Sequence, residues 1–263
     1  MMKTQPLLRL LEKKFPNIPE KELFARIFCG EVKVNGERIR FPDKNVSVNA
    51  VIEFQLKKYV SRGGYKLEKV FEEIGDIAEG KTFIDAGSST GGFTDCLLKH
   101  GAALVHAVDV GYNQLDYKLR KDTRVIVHER TNIMDIHSLD PHPDSAVADL
   151  SFRSIISAAR HIFSLIKENW LVALIKPQFE LQNPPNDFDG IIRSKEALQI
   201  VLNSVVQSLY KNSLFPKEIL LSPVPGRKGN REFFFRIYRE IQEKKDVVEK
   251  NISSLINKIT ELD

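Results

Sequence analysis

The densest cluster of residues able to do chemistry is the run Asp85-Ala86-Gly87-Ser88-Ser89-Thr90-Gly91-Gly92-Phe93-Thr94-Asp95. It follows an apolar strand pattern and opens a helix pattern, so it falls at the carboxyl end of a strand, where open α/β sheets hold their ligands. Gly87 and Gly91 can adopt backbone angles closed to other residues and let a ligand approach main-chain amides. The glycine spacing is neither G-x-G-x-x-G nor G-x-x-x-x-G-K-[S/T], which disfavours a pyrophosphate cradle and favours a nucleoside without phosphates. S-adenosylmethionine is such a nucleoside. Asp109 ends the next strand pattern, 24 residues after Asp85, close to the ~20-residue interval at which an acidic side chain reaches a bound ribose. Asn132, just beyond the third strand pattern, is a candidate for the adenine side, with a turn-forming asparagine as the alternative. The expected cofactor contacts are therefore Asp85, Gly87, Ser88, Ser89, Thr90, Gly91, Asp109 and Asn132.

Other chemistries find no support. Cys29 and Cys96 stand apart without C-x-x-C spacing, so neither a disulfide framework nor a zinc knuckle is expected, and both read as small buried residues. The six histidines are scattered without the His-Glu-x-x-His pattern, and no metal is expected.

The elements that must position the loop can be read from periodicity. Strand patterns fall at 82–86, 104–110, 125–128, 146–150 and 171–175, with helices at 93–100 and 154–166 between them. This alternation is that of a parallel, doubly wound sheet. A helix at 195–210 precedes two late strands, 218–222 and 233–238. The tail carries Val247, Val248, Ile252, Leu255, Ile256, Ile259 and Leu262 on one stripe, an amphipathic helix that packs on the domain or on a partner. Ahead of all this, Leu7, Leu8, Leu10 and Leu11, then Leu23, Phe24, Ile27 and Phe28, repeat with helical spacing. Val32 and Val34 lead into Asn35-Gly36, a hairpin turn signal, with returning strands among Ile39, Val46, Val48, Val51, Ile52 and Phe54. Lys57 to Gly64 is basic and ends in two glycines, which reads as a linker.

Charge is divided unevenly along the chain. Residues 1–66 hold 14 Lys and Arg against 7 Asp and Glu, whereas the rest of the chain holds 25 against 28. This is the footprint of a polyanion-binding module joined to a neutral or acidic one. The longest apolar stretch, Trp170 to Ile175, is far short of the roughly 20 residues of a membrane span. The leucines of the N-terminus are interspersed with charges, unlike a signal peptide. A cytoplasmic protein that does not enter membranes is expected.

Six ordered motifs then carry a family resemblance. Ser61-Arg62-Gly63-Gly64-Tyr65-Lys66-Leu67, the Asp85 to Asp95 run, Val108-Asp109-Val110-Gly111, Asp149-Leu150-Ser151-Phe152, Ile175-Lys176-Pro177-Gln178-Phe179-Glu180 and Gly229-Asn230-Arg231-Glu232-Phe233 together resemble the TlyA (hemolysin A) family of FtsJ-like RNA methyltransferases. The resemblance runs from about Val32 to about Tyr238. It implies 2′-O-methylation of ribosomal RNA, with ribosomal RNA or a ribosomal subunit as partner. It also implies an α/β fold, a Rossmann-like methyltransferase sheet, mostly parallel with a late antiparallel strand, behind a small N-terminal α+β RNA-binding domain. The family's Lys-Asp-Lys-Glu tetrad maps to Lys66, Asp149, Lys176 and Glu232. A ribose hydroxyl is a poor nucleophile until its proton is withdrawn, and a lysine can withdraw it only when its proton affinity falls toward the working pH. Burial and a second cation push that way, a neighbouring carboxylate the other way. The expected roles are Lys176 as base, Lys66 as the second cation that also orients the ribose, and Asp149 and Glu232 as holders of the two ammonium groups.

The fourth strand ends in Asp149-Leu150-Ser151-Phe152 rather than the Asp/Asn-Pro-Pro-Tyr/Phe box of amino methyltransferases, and neither cysteine follows a proline, so a ribose oxygen remains as acceptor. The N-terminal region departs from the family at Pro19-Glu20, where Ser-Arg is usual, so RNA contacts would pass to Lys21, Arg26, Lys33, Arg38, Arg40, Lys57, Lys58 and Arg62. Arg153, Ser154 and the long C-terminal helix are further departures. The expected organisation is an RNA-binding domain over 1–57, a basic linker over 58–64, the methyltransferase domain over 65–240 and the C-terminal helix over 241–263. Rival readings are an inactive RNA-binding protein, which the intact tetrad opposes, a membrane-active hemolysin, which lacks a span or signal, and a dinucleotide-dependent oxidoreductase, which the glycine spacing opposes.

Overall fold

A computed structural model describes residues 4–28, 30–54, 58–75, 77–151, 155–181, 184, 188–226 and 229–261. Cys29, Lys57, Phe152, Arg153, Ser154 and Leu262, named above, lie outside the described residues, as do the side chains of Lys21 and Phe28. The leucine repeats build two helices, α1 (Leu7–Lys14) and α2 (Glu20–Phe28), after a short strand β1 (Thr4–Pro6). Strands β2 (Val32–Val34), β3 (Glu37–Ile39), β4 (Asn45–Ser47) and β5 (Ile52–Phe54) follow, paired antiparallel as β3-β2-β5 and β1-β4. Asn35 and Gly36 turn the β2–β3 hairpin with φ of 52° and 82°, the positive angles a tight hairpin demands. Leu7, Leu10, Leu11, Leu23, Ile27, Val32 and Val34 close a small core of their own.

The rest of the chain runs α3 (Arg62–Ile74), β6 (Thr82–Ala86), α4 (Gly92–Lys99), β7 (Leu104–Asp109), α5 (Tyr117–Lys121), β8 (Val125–Glu129), β9 (Ser145–Ala148), α6 (Ile155–Leu165), β10 (Trp170–Ile175), α7 (Pro177–Glu180), α8 (Lys195–Lys211), β11 (Phe215–Leu221), β12 (Phe233–Tyr238) and α9 (Lys245–Glu261). The strands form one sheet in the order β11-β12-β10-β9-β6-β7-β8. Only β12 runs against its neighbours, pairing antiparallel with both β10 and β11. Strand order reverses between β6 and β9, which are parallel neighbours, and a crevice opens at the carboxyl ends of strands at such a switch point. Helices α3 and α4 cover one face through Leu67, Val70, Phe71, Phe93 and Leu97. Helices α6, α8 and α9 cover the other through Ile162, Leu202, Leu209, Val248, Ile252 and Ile256.

Two expectations change in detail. Positions 58–64 are not a flexible linker: Tyr59 is buried, the Val60 amide donates to the Asp95 carboxylate at 2.9 Å, and Ser61 caps α3, whose first turn contains Gly63 and Gly64. The glycines serve close approach rather than freedom, because a Cβ at Gly64 would meet the Tyr59 ring and one at Gly92 would meet Ser61 and the Gly63–Gly64 backbone. The C-terminal helix, for which domain or partner were both open, packs on the domain, against β11 and α8.

Candidate active site

The loop after β6 is shaped by its glycines and by one carboxylate. Gly87 and Ser88 both donate to the carbonyl of Val108, at 2.8 and 3.0 Å, tying the loop to β7. Gly87 has φ of +86°, and a Cβ there would run into the carbonyl of Asp149. Gly91, at φ of +89°, rests on Leu115 and Leu119, which leave no space for a side chain. Asp109 accepts the Ser89 amide at 2.8 Å through one oxygen and the Gly111 amide at 2.6 Å through the other. Each oxygen keeps a lone pair directed elsewhere.

A cavity of about 820 Å³ opens beside this loop. Gly87, Ser89, Asp109 and Asn132 line it, with Val108, Ile133, Met134, Leu150 and Ala158 as an apolar wall. A smaller recess on the α3 side is lined by Ser88, Thr90, Gly92 and Arg62. A nucleoside fits these residues: a flat apolar slot, an acid with spare lone pairs for vicinal hydroxyls, and a backbone crossing that only glycine allows. Asn132 is both a wall residue and the cap of the 3-10 turn Ile133–Asp135, its Oδ1 accepting from Met134 at 3.1 Å.

Asp85 does not line the cavity. It is fully buried beneath the loop, where one oxygen accepts from the Thr94 amide at 2.8 Å and the Thr94 hydroxyl at 2.6 Å. The other oxygen has no hydrogen-bond partner among the described residues. Burial pushes the Asp85 carboxyl up to about 7, the Thr94 bonds oppose this, and the charges of Asp149 and Asp109 add to it. Asp85 thus anchors the start of α4 under the loop rather than facing a ligand. Its type and strand-end position carried no mark of which way it points.

The four expected tetrad residues converge. Lys66 comes from α3, Asp149 follows β9, Lys176 follows β10 and Glu232 precedes β12, and all four line the cavity. Lys66 hydrogen-bonds Glu232 at 2.5 Å, and Lys176 forms an ion pair with Asp149 at 2.5 Å. Lys176 also donates to the Ser151 hydroxyl at 3.0 Å. Local structure fixes each. Lys66 shares the buried side of α3 with Leu67 and Val70, and Pro177 at the first turn of α7 stops β10 at Lys176. Asp149 is held by its amide on the Ala86 carbonyl at 2.9 Å. The Glu232 carboxylate lies against Gly226, where a Cβ could not fit, and Asn230 pins that turn to Gly190 and Ile192 at 2.7 and 3.1 Å.

Gln114, Ser151, Gln178 and Phe179 also line the cavity and were not singled out from sequence, and Arg62, expected as an RNA contact, lines it as well. Ser151, Gln178 and Phe179 sit inside quoted motifs beside Asp149 and Lys176, which was the available signal. Cys96 is a core residue, as expected, and burial pushes its thiol up to about 12, where it is inert. Among the described residues no cluster of His, Cys, Asp and Glu could hold a metal, and no helix is long and apolar enough to cross a membrane.

Residues 59–239 match the family model of FtsJ-like methyltransferases. The chain is 44% identical over 213 residues to hemolysin A of Brachyspira hyodysenteriae, covering 79% of this chain and 88% of that protein. It is 34% identical over 214 residues to the 16S/23S rRNA (cytidine-2′-O)-methyltransferase TlyA of Mycobacterium tuberculosis, covering 79% and 80% respectively. A solved structure from Streptococcus thermophilus, assigned as a hemolysin, superposes with a TM-score of 0.69 at 31% identity, over 98% of this chain and 97% of that one. Fold, motif order and relatives agree, and the chain belongs to the FtsJ-like methyltransferase family.

Proposed function

We propose that this protein transfers the methyl group of S-adenosylmethionine to the ribose 2′-hydroxyl of a cytidine in ribosomal RNA. The observation that carries the reading is the meeting of Lys66, Asp149, Lys176 and Glu232, from four separate elements, in one cavity with the glycine loop. Gly87, Ser89, Asp109 and Asn132, with the apolar wall, would hold the cofactor, which when bound supplies an electrophilic methyl group. Lys176, oriented by Asp149 and Ser151, accepts the hydroxyl proton once it has released its own ammonium proton to solvent. Lys66, fixed by Glu232, orients the ribose oxygen and offsets the negative charge that develops on it. A ribosomal substrate makes the cytoplasm the place of work.

The N-terminal domain would dock the RNA. Lys33 and Arg38 are cross-strand neighbours on β2 and β3, with Arg40 next along the chain. Arg26 contributes less than the sequence suggests, since Glu22 takes its guanidinium at 2.6 Å. Lys58 is likewise paired, with Glu68. Arg62, by contrast, is exposed at the cavity rim.

The test is methyl transfer from labelled S-adenosylmethionine to ribosomal subunits from cells lacking the gene, followed by mapping of 2′-O-methyl groups. Wild-type protein should label one or a few riboses. Lys176→Ala should lose about 10²–10⁴-fold in rate, the usual contribution of a positioned base. Full activity in that variant would reject the role of Lys176.

A further inference from the structure

Helix α2 ends in a turn that fixes one acid. Gly30 takes a φ of +70° and the Glu31 amide donates to the Arg26 carbonyl at 2.8 Å, which locks the Glu31 backbone to the end of the helix. The Glu31 side chain is buried, and Lys118 of α5, 87 positions on, donates to its carboxylate at 2.5 Å. Its other oxygen has no hydrogen-bond partner among the described residues. Removing one member of such a shielded pair strands the other charge. Beside the pair, the Phe24 ring meets the Tyr117 ring edge-on, with centroids 6.1 Å apart.

The helix that receives Glu31 is bolted to the catalytic body. Asp116 caps α5 by accepting from the Lys118 amide at 2.9 Å, and Arg120 pairs with Glu129 of β8. The Asp116 amide donates to the Thr90 carbonyl of the glycine loop at 3.2 Å, and Leu115 and Leu119 lie on Gly91. Any shift of the N-terminal domain on α5 is therefore a shift relative to the cavity. The chain itself is the other attachment, entering the catalytic domain at Val60, whose amide Asp95 of α4 accepts at 2.9 Å. A domain held at one covalent point can swivel, and a second contact elsewhere fixes its bearing. That second contact is narrow, since α2 and α5 flank a cleft of about 880 Å³ beside it. Small interfaces between domains of one chain permit relative motion by default, so a few side chains hold the bearing.

We propose that the Glu31–Lys118 pair is a positioning device: it sets the bearing of the RNA-docking domain on the catalytic body and so helps determine which ribose reaches Lys66 and Lys176. The inference rests on the function proposed above. A folded RNA gripped by Lys33, Arg38 and Arg40 presents its ribose at a point set by both bodies, so rotation of the docking face displaces the hydroxyl from the tetrad. A displacement of about 1 Å between reacting groups can cost on the order of a hundredfold in rate. Glu31 and Lys118 act through the seating of α2 on α5 and touch neither ribose nor cofactor.

The experiment exchanges the two charges. Lys118→Glu, Glu31→Lys and the double exchange are compared with wild type on ribosomal subunits from cells lacking the gene. Each single reversal should lower kcat at saturating RNA by about ten- to a hundredfold and spread the mapped 2′-O-methyl groups to neighbouring riboses. The salt slope of RNA binding should stay unchanged, because the docking cations are untouched. S-adenosylmethionine affinity in calorimetry should stay within about twofold, which also shows that each variant is folded. Lys118 is the more exposed partner, so Lys118→Glu carries the test where Glu31→Lys does not fold. The double exchange should return kcat to within about threefold of wild type, as coupled charges do in a double-mutant cycle, and restore the original site. Unchanged kcat and site in Lys118→Glu, a double exchange no better than the single reversals, or a loss confined to S-adenosylmethionine affinity would each overturn the positioning role alone. Failure of the wild type to methylate any ribosomal RNA would overturn the underlying function instead.

Discussion

At the scale of single residues, the site depends on side chains that are absent as much as on those present. Gly87 combines a φ of +86° with contact against the Asp149 carbonyl, so a methyl group there would displace both the cofactor wall and a tetrad member. Gly87→Ala should abolish S-adenosylmethionine binding in calorimetry and lower stability by about 1–3 kcal/mol, the cost of a strained backbone position. Glu232→Gln keeps shape but removes the charge that holds Lys66 at 2.5 Å. It should lower kcat by at least about tenfold while leaving S-adenosylmethionine affinity within about twofold, because a group that acts only on the developing charge affects the transition state more than cofactor binding. Unchanged turnover in Glu232→Gln would show that the Lys66 pair is structural. Of the residues expected at the cofactor site, Asp109 and Gly87 line the cavity, a placement legible because backbone geometry ties it to motif position. That of Asp85 was not, because a carboxylate at a strand end can point into the core or into the cavity with the same sequence.

At the scale of elements, two devices can be probed. Helix α9 buries Val248, Ile252 and Ile256 against the sheet domain, and Arg231 donates to the Ile259 and Thr260 carbonyls at 2.6 and 3.2 Å, closing its C-terminal end. Ile252→Ala should destabilise the protein by about 2–5 kcal/mol in urea unfolding, as for other fully buried aliphatic truncations. An effect under 0.5 kcal/mol would mean that the helix is a detachable appendage. The second device is the His106–His128 pair on β7 and β8, with ring nitrogens 3.1 Å apart and His106 bonded to the Pro141 carbonyl at 2.9 Å. Burial lowers the pKa of both, and for His128 the His106 charge lowers it further. The unfolded chain then binds protons first as pH falls below about 6.5. Stability from this pair is complete above that pH and is lost as pH drops through the lowered folded values. Unfolding midpoints should decline from pH 7.5 to pH 5, and replacing both histidines with asparagine should flatten the decline. Element existence was largely legible from sequence, since periodicity placed every strand of the main sheet. The five-residue α5 and four-residue α7 were missed because neither is long enough to show a helical repeat, and α3 was not read as a helix, its glycine-rich first turn being taken for linker.

At the scale of the whole molecule, the N-terminal domain and the catalytic domain touch through Glu31 and Lys118, 2.5 Å apart, and through the Phe24 and Tyr117 rings, with centroids 6.1 Å apart. The basic charge of residues 1–66 is thereby held on the same body as the cavity. If that charge docks RNA, the logarithm of affinity should fall with the logarithm of salt by roughly 0.7–0.9 per phosphate contacted. Lys33→Glu with Arg40→Glu should flatten that slope by about 1–2 and weaken binding without changing the rate at saturating RNA. A slope unaltered by the double substitution would move the docking surface elsewhere.

What the sequence determined by itself was composition along the chain: the period of each strand and helix, the glycines that a loop requires, the excess of basic charge at the front, and six motifs in a fixed order. These are local properties, set by a few neighbouring residues. The tertiary structure decided the rest: that Lys66, 166 positions before Glu232, reaches it, that Asp85 turns inward, and that two glycines serve packing rather than flexibility. Such outcomes depend on which strands become neighbours, and crossover connections bring together residues whose separation in the chain carries no record of their meeting.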